Sequence, residues 1–148
     1  MFTKFKDLEH HQFYEGNIRM TRSQQDPYRQ ALFYLLGLTS QTRRHIRDLY
    51  DFEESSIRLE GLQQGWQTSS TVKLTRLAFN LYNGYTGDAE LGAPRNYSPY
   101  FIFDTGLLPY FFEAIKLRFP EYARIQVYDS IHFPQEVPNR REEYEWEH

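Results

Sequence analysis

Between Gly65 and Gly84 the chain reads GWQTSSTVKLTRLAFNLYNG, and this stretch restricts the possible folds more than any other. Val72, Leu74, Leu77, Ala78, Phe79, Leu81 and Tyr82 point in nearly every helical direction. Only Lys73, Arg76, Asn80 and Asn83 fall together, at spacings of three, four and three. A helix apolar on most of its circumference must be largely buried, with the polar stripe as its one exit to water. Thr68, Ser69 and Ser70 offer side-chain oxygens to the first-turn amides, and Gly84 suits the left-handed residue that ends a helix. The spacing predicts a helix over 70–83, the most buried of its domain.

Other elements follow from caps and breakers. Residues 5–20 read as a helix with Phe5, Leu8, Tyr14 and Ile18 as core contacts. His10 and His11 are adjacent, so on a helix they diverge and cannot chelate together; one buried and one solvated ring is the expectation. Asp26-Pro27 opens the next helix, with Asp as cap and Pro at the first position, where no amide donor is needed. Tyr28, Ala31, Leu32, Leu35 and Leu36 form its apolar stripe, and Gly37 stops it. Thr39 or Ser40 caps a further helix over 41–52 that buries Ile46, Leu49 and either His45 or Tyr50. Residues 55–64 suggest one helical turn around Leu59 and Leu62, and Trp66 seals the start of the 70–83 helix.

Three glycines and a proline make 84–97 an exposed, mobile loop. Ser98-Pro99 begins a short helix to 104, and Pro109 opens the last long one, through Phe119, with Phe111, Phe112, Ile115 and Phe119 inward. Pro120 ends it. The reading is therefore an all-α chain: a helical domain of five or six helices over 1–123, followed by an extended or loosely packed tail over 124–148.

Composition narrows function mostly by exclusion. With 12 Tyr and 12 Phe, aromatic rings supply much of the burial, each worth about 1.5–3 kcal/mol before entropy is set against it. The absence of cysteine rules out a disulfide scaffold, a thiolate zinc site and a thiol nucleophile, and suits a reducing cytoplasm. MFTKFKDLEHHQF has no apolar segment of the signal-peptide kind and no run is long enough to span a bilayer, so a soluble cytoplasmic protein is expected. No phosphate loop, nucleophile elbow, HExxH or calcium loop occurs. The carboxylates lack apolar isolation, and Asp104, the nearest case, reads better as a helix-end cap.

The net charge of −3 does not favour nucleic acid globally, yet Arg43, Arg44 and Arg47 share a helix face turned away from Ile46 and Leu49. They form either a basic patch or a solvated face neutralised by Asp48, Asp51, Glu53 and Glu54. Two short helices followed by TSSTVKLTR also resemble the start of a recognition helix, with Lys73 and Arg76 as DNA contacts. That helix is too apolar all round to lie exposed in a groove.

The segments ALFYLLGLT (31–39), DLYDFEE (48–54), the Gly65–Gly84 stretch and SPYFIFDTGLLPYFFEAIKLRFPEY (98–122) resemble an uncharacterised family of small proteins from Firmicutes genomes, phages and conjugative elements. The resemblance covers roughly residues 26–123. It implies an accessory protein of a mobile element that binds a host or competing-element protein, inhibitors of host defence of the anti-CRISPR kind among them. It brings no catalytic residues. The expected function is thus non-enzymatic protein binding, with no cofactor or metal. Candidate contacts are Arg43, Arg44, Arg47 and the stripe Lys73, Arg76, Asn80 and Asn83; a nucleic-acid-binding helical regulator using the arginine face is the alternative.

Overall fold

Asp7 ends an extended N-terminal segment and caps α1 (Leu8–Thr21), its carboxylate accepting from the His10 amide at 2.8 Å. Asp26 does the same for α2 (Pro27–Leu36), accepting from the amides of Tyr28 and Arg29. The computed structural model describes residues 2–87 and 94–127. Thr39 caps α3 (Ser40–Arg44), and α4 (Ile46–Leu49) follows at once. Thr68 and Thr71 cap each other at the start of α5 (Ser69–Asn83), and Gly84 closes it at φ 82°. Then come α6 (Pro99–Ile102), α7 (Leu108–Arg118) and α8 (Pro120–Ala123).

The all-α reading holds, with a difference at 41–52. That expected helix breaks at His45 and turns extended at Tyr50, giving β1 (Tyr50–Asp51), which pairs antiparallel with β2 (Ser56–Ile57). The cause is tertiary. The Tyr50 ring is buried edge-on against Phe33, Phe52 and Tyr82. Asp51 then accepts from the amides of Glu53 and Glu54, which forms the turn and holds its carboxyl below the usual range. Broken this way, the expected five or six helices become four long and four short ones among the described residues. The turn foreseen around Leu59 and Leu62 is a 3₁₀ helix, Leu59–Gln63. Of the loop expected over 84–97, residues 84–87 lack regular structure, Arg95–Tyr97 form a 3₁₀ turn, and 88–93 lie outside the described residues, as does most of the expected tail, 128–148.

α2, rather than α5, is the most enclosed helix. Every residue from Ala31 to Leu36 is fully buried, because α1, α5 and α7 each pack on a different side of it. α5 also buries seven residues, but keeps one side partly open. Three residues expected in the core are not there. Leu8, Tyr28 and Phe112 are 68%, 46% and 50% exposed. With helix start set by Asp7, His10, Tyr14 and Ile18 take the core face of α1 and Leu8 falls on the other. Phe112 likewise lies one position off the Phe111–Ile115 line of α7.

Two glycines are required by close approach. A β-carbon at Gly61 would lie 2.5 Å from the Asp48 carbonyl oxygen, and one at Gly37 would lie 2.8 and 2.9 Å from the Phe13 and His10 rings. Gly61→Ala should therefore lower stability by about 1–3 kcal/mol in urea denaturation. Gly65→Ala, whose β-carbon meets nothing within 4 Å, should be neutral or slightly stabilising.

His10 is the buried polar group on which the α1–α2 contact turns. Lys6 N–H donates to Nδ1 at 3.0 Å, so Nε2–H donates to the Tyr34 carbonyl at 2.7 Å, and the ring is neutral. Burial pushes its pKa below the ordinary value, with Arg43 and Lys6 adding to that and the Tyr34 bond and Asp7 opposing it. A lowered folded pKa means the unfolded chain takes up the proton first. The His10 contribution is therefore whole above pH 6.5 and declines as the pH falls below it. Urea midpoints should fall between pH 8 and about pH 5.5, and His10→Gln should flatten that slope.

Candidate functional site

Where α7 ends beside the start of α2, Arg118 is held by three groups. Its Nε donates to the Leu81 carbonyl at 2.8 Å, near the C-terminus of α5, where carbonyls lack helical partners. Its guanidinium carbon sits 3.7 Å from the centre of the Tyr28 ring and 4.5 Å from that of Phe119. The terminal nitrogens make no hydrogen bond or ion pair among the described residues. Around them opens a cleft of about 380 Å³, floored by Asn80, Leu81, Tyr82 and Asn83. Asn80, Leu81 and Phe119 also border a neighbouring groove of about 230 Å³, lined by Leu77, Ile102, Phe103 and Ile115. A rigid cation flanked by rings thus adjoins an apolar trough.

A hydrogen-bonded chain stiffens the wall behind it. Arg29 donates to Asp26 at 2.7 Å and to the Tyr50 hydroxyl at 3.0 Å. The Tyr50 and Tyr82 hydroxyls are 3.2 Å apart, and Tyr82 donates to the Ser55 carbonyl at 2.8 Å. Burial, together with the Tyr50 bond, pushes the Tyr82 phenol up, so it stays a neutral donor at physiological pH. Burial disfavours the Arg29 cation, but the bonds with Tyr50 and Asp26 outweigh it and its pKa is raised.

The residues singled out by sequence divide differently. Arg43 donates to the Gly37 carbonyl at 2.8 Å and pairs with Glu9 at 3.2 Å, so it fastens α3 to α1. Only Arg44 and Arg47 of the expected patch stand exposed, and Arg47 lies over the Phe52 ring at 5.8 Å. Lys73 donates to the Asp104 carbonyl at 2.6 Å, tying α5 to the α6–α7 turn. Asn80 donates to the Tyr85 carbonyl and Asn83 accepts from the Tyr85 amide, each at 3.1 Å. Arg76 is partly buried on the same helix. Asn80 and Asn83 reach the cleft, whereas the arginine triplet does not line it.

Among the described residues no cluster of three or more His, Asp or Glu could hold a metal ion, and no helix is long and apolar enough to cross a membrane. Residues 1–130 match the family of unknown function DUF6075. The chain belongs to that family. The DUF6075 match includes α1, which lies outside the 26–123 span of the sequence resemblance, and ends before the acidic segment at 142–147. No curated protein and no solved structure matches the chain.

In this DUF6075 chain the sequence pattern reads Tyr28 and Phe119 as core residues and does not single out Arg118. The one local hint is Arg118 in the last turn of a helix, a place where a cation meets free carbonyls. Here it meets those of α5, a different helix. Arg118→Ala should cost about 1–2 kcal/mol, from one hydrogen bond and two partly exposed cation–π contacts. Arg118→Lys should recover less than half of that in thermal denaturation, because an ammonium cannot stack between two rings.

Proposed function

We propose that this chain is a non-enzymatic accessory protein that binds a protein partner through the Tyr28–Arg118–Phe119 cleft and the groove beside it. The observation that carries this reading is a guanidinium locked between two rings, with its terminal nitrogens open to the cleft. Binding energy at protein interfaces concentrates on Tyr, Trp and Arg, and a side chain already held in place loses little entropy on binding. Tyr28 and Tyr122 extend an aromatic surface outward. On the sequence resemblance, the setting is the cytoplasm of a Firmicutes cell carrying a phage or conjugative element. The partner is a host or competing-element protein, and inhibition of a host defence in the anti-CRISPR manner is the role.

The nucleic-acid alternative draws less support, since Arg43 is engaged with Glu9 and Gly37 and leaves two exposed arginines on that face. Its removal would loosen the α1–α3 contact, so Arg44→Ala/Arg47→Ala is the informative variant. Duplex DNA should bind no tighter than about 100 μM at physiological salt. Sub-micromolar, salt-sensitive binding that this double variant loses would favour the alternative.

For the protein-binding reading, wild-type and Tyr28→Ala chains are immobilised and exposed to lysate from a Firmicutes host. A partner found by mass spectrometry should bind purified wild type at least about 30-fold more tightly than the variant, as for a hot-spot ring. Equal affinity for the two chains would remove the cleft from the interface, and turnover in a metabolite screen would overturn the non-enzymatic reading.

A further inference from the structure

The two outer nitrogens of Arg118 have no acceptor among the described residues. Parallel N–H donors in one plane match a carboxylate, which takes both in a two-pronged pair. Stacking on Tyr28 and Phe119 fixes that plane in advance. None of the residues lining the cleft is acidic. Asp26, two positions before Tyr28, is already engaged. One of its oxygens accepts from the Tyr28 and Arg29 amides and the other from the Arg29 guanidinium. The cleft thus presents a cation to which the described residues supply no ion-pair partner.

The floor of the cleft narrows what can carry the matching carboxylate. It is the last turn of α5, where the helix dipole ends in partial negative charge. There the Asn80 carbonyl accepts from the Gly84 amide and the Leu81 carbonyl from Arg118, each at 2.8 Å. The Tyr82 and Asn83 carbonyls accept from no described residue. A bare anion gains nothing from them, whereas a ligand with N–H donors beside its carboxylate satisfies cation and carbonyls together. A peptide is such a ligand. An internal acidic residue has amides on both sides of it, two donors for two carbonyls, while a chain end has them on one side only. An extended segment fits better than a helix, whose interior amides are already bonded. In an extended segment alternate side chains share a face. An acidic side chain on Arg118 therefore directs its neighbour two positions away toward the groove of about 230 Å³. Leu77, Ile102, Phe103 and Ile115 make that groove apolar, and Asn80, Leu81 and Phe119 border both spaces.

We propose that cleft and groove together take an extended acidic segment of the protein partner. A Glu or Asp side chain pairs with Arg118, main-chain amides donate to the last carbonyls of α5, and an apolar side chain two positions away fills the groove. This rests on the reading of the face as the partner's contact site and adds the chemistry that the partner presents there.

The test is an NMR titration of the full, nitrogen-15-labelled chain with pentapeptides capped at both ends. Leu-Ala-Glu-Ala-Leu reads the same in both directions, so a leucine lies two positions from the glutamate whichever way it binds. It should shift the Arg118 Nε–H signal and the amides of residues 80–84 and 119, with a Kd of about a millimolar. Its glutamine counterpart should bind about tenfold more weakly, since the pair with the guanidinium is lost. Replacing both leucines by alanine should weaken binding about fivefold. Acetate should bind more weakly than either glutamate peptide. These comparisons use the unaltered chain, so they hold even where a cleft variant unfolds. Arg118→Gln, with folding checked by circular dichroism, should remove the preference for glutamate over glutamine.

Equal binding of the glutamate and glutamine peptides would overturn the proposal, as would shifts centred on Arg44 and Arg47. Acetate binding as tightly as Leu-Ala-Glu-Ala-Leu would reduce the cleft to a bare anion site. Tighter binding of the glutamine peptide with its C-terminus uncapped would make the ligand a chain end. Either result overturns the internal acidic segment. Loss of the acid preference leaves the cleft standing as a partner contact of other chemistry. Equal partner affinity for wild type and Tyr28→Ala, with the peptide preference intact, would remove the partner reading and leave the acidic-peptide site.

Discussion

Enclosure of α2 is the constraint from which the rest of the architecture follows. Six consecutive residues, Ala31 to Leu36, are removed from water, which no single neighbouring helix could achieve. α1, α5 and α7 are therefore arranged around it, and each presents its own apolar line inward. Side chains of Leu, Phe and Tyr size contribute about 1.5–3 kcal/mol apiece before the entropy of ordering is subtracted. Tight packing brings its own requirements. Gly37 must lack a side chain where α1 crosses, and His10 must be neutral because its Nδ1 accepts from the Lys6 amide while Nε2–H donates to the Tyr34 carbonyl.

The polar groups at the edge of this core mostly hold segments together. Lys73, Asn80 and Asn83 look like a surface stripe in the sequence, yet three of their hydrogen bonds end on the main chain at Asp104 and Tyr85. Arg43 and Arg29 act likewise, one between α1 and α3, the other among Asp26, Tyr50 and Tyr82. A main-chain carbonyl left dry and unbonded at a helix end costs about as much as a lost hydrogen bond, so long polar side chains are drawn to such places. Arg118 shares this role but differs in what remains. One nitrogen serves the Leu81 carbonyl while the outer two face the cleft. A cation stacked on two rings and only partly satisfied by its own chain is the feature that sets this face apart from the others.

The sequence by itself determined the helical class, the caps and the main stops. Asp26-Pro27, Thr68 and Gly84 act on residues within one turn of themselves, so their chemistry is local and legible. It also determined that the 70–83 segment is heavily buried, because an apolar circumference has nowhere else to go. Tertiary structure alone decided which helix is most enclosed, since that depends on how many neighbours surround it. It also decided the break at 45–50, where burial of the Tyr50 ring overrides a helical pattern. The cleft belongs to the same class. Tyr28 and Arg118 lie far apart in the chain, and periodicity places Tyr28 on an apolar stripe without saying that a guanidinium will cover it. Spacing along a helix tells which side chains share a face; what stands opposite that face is set only when the helices pack.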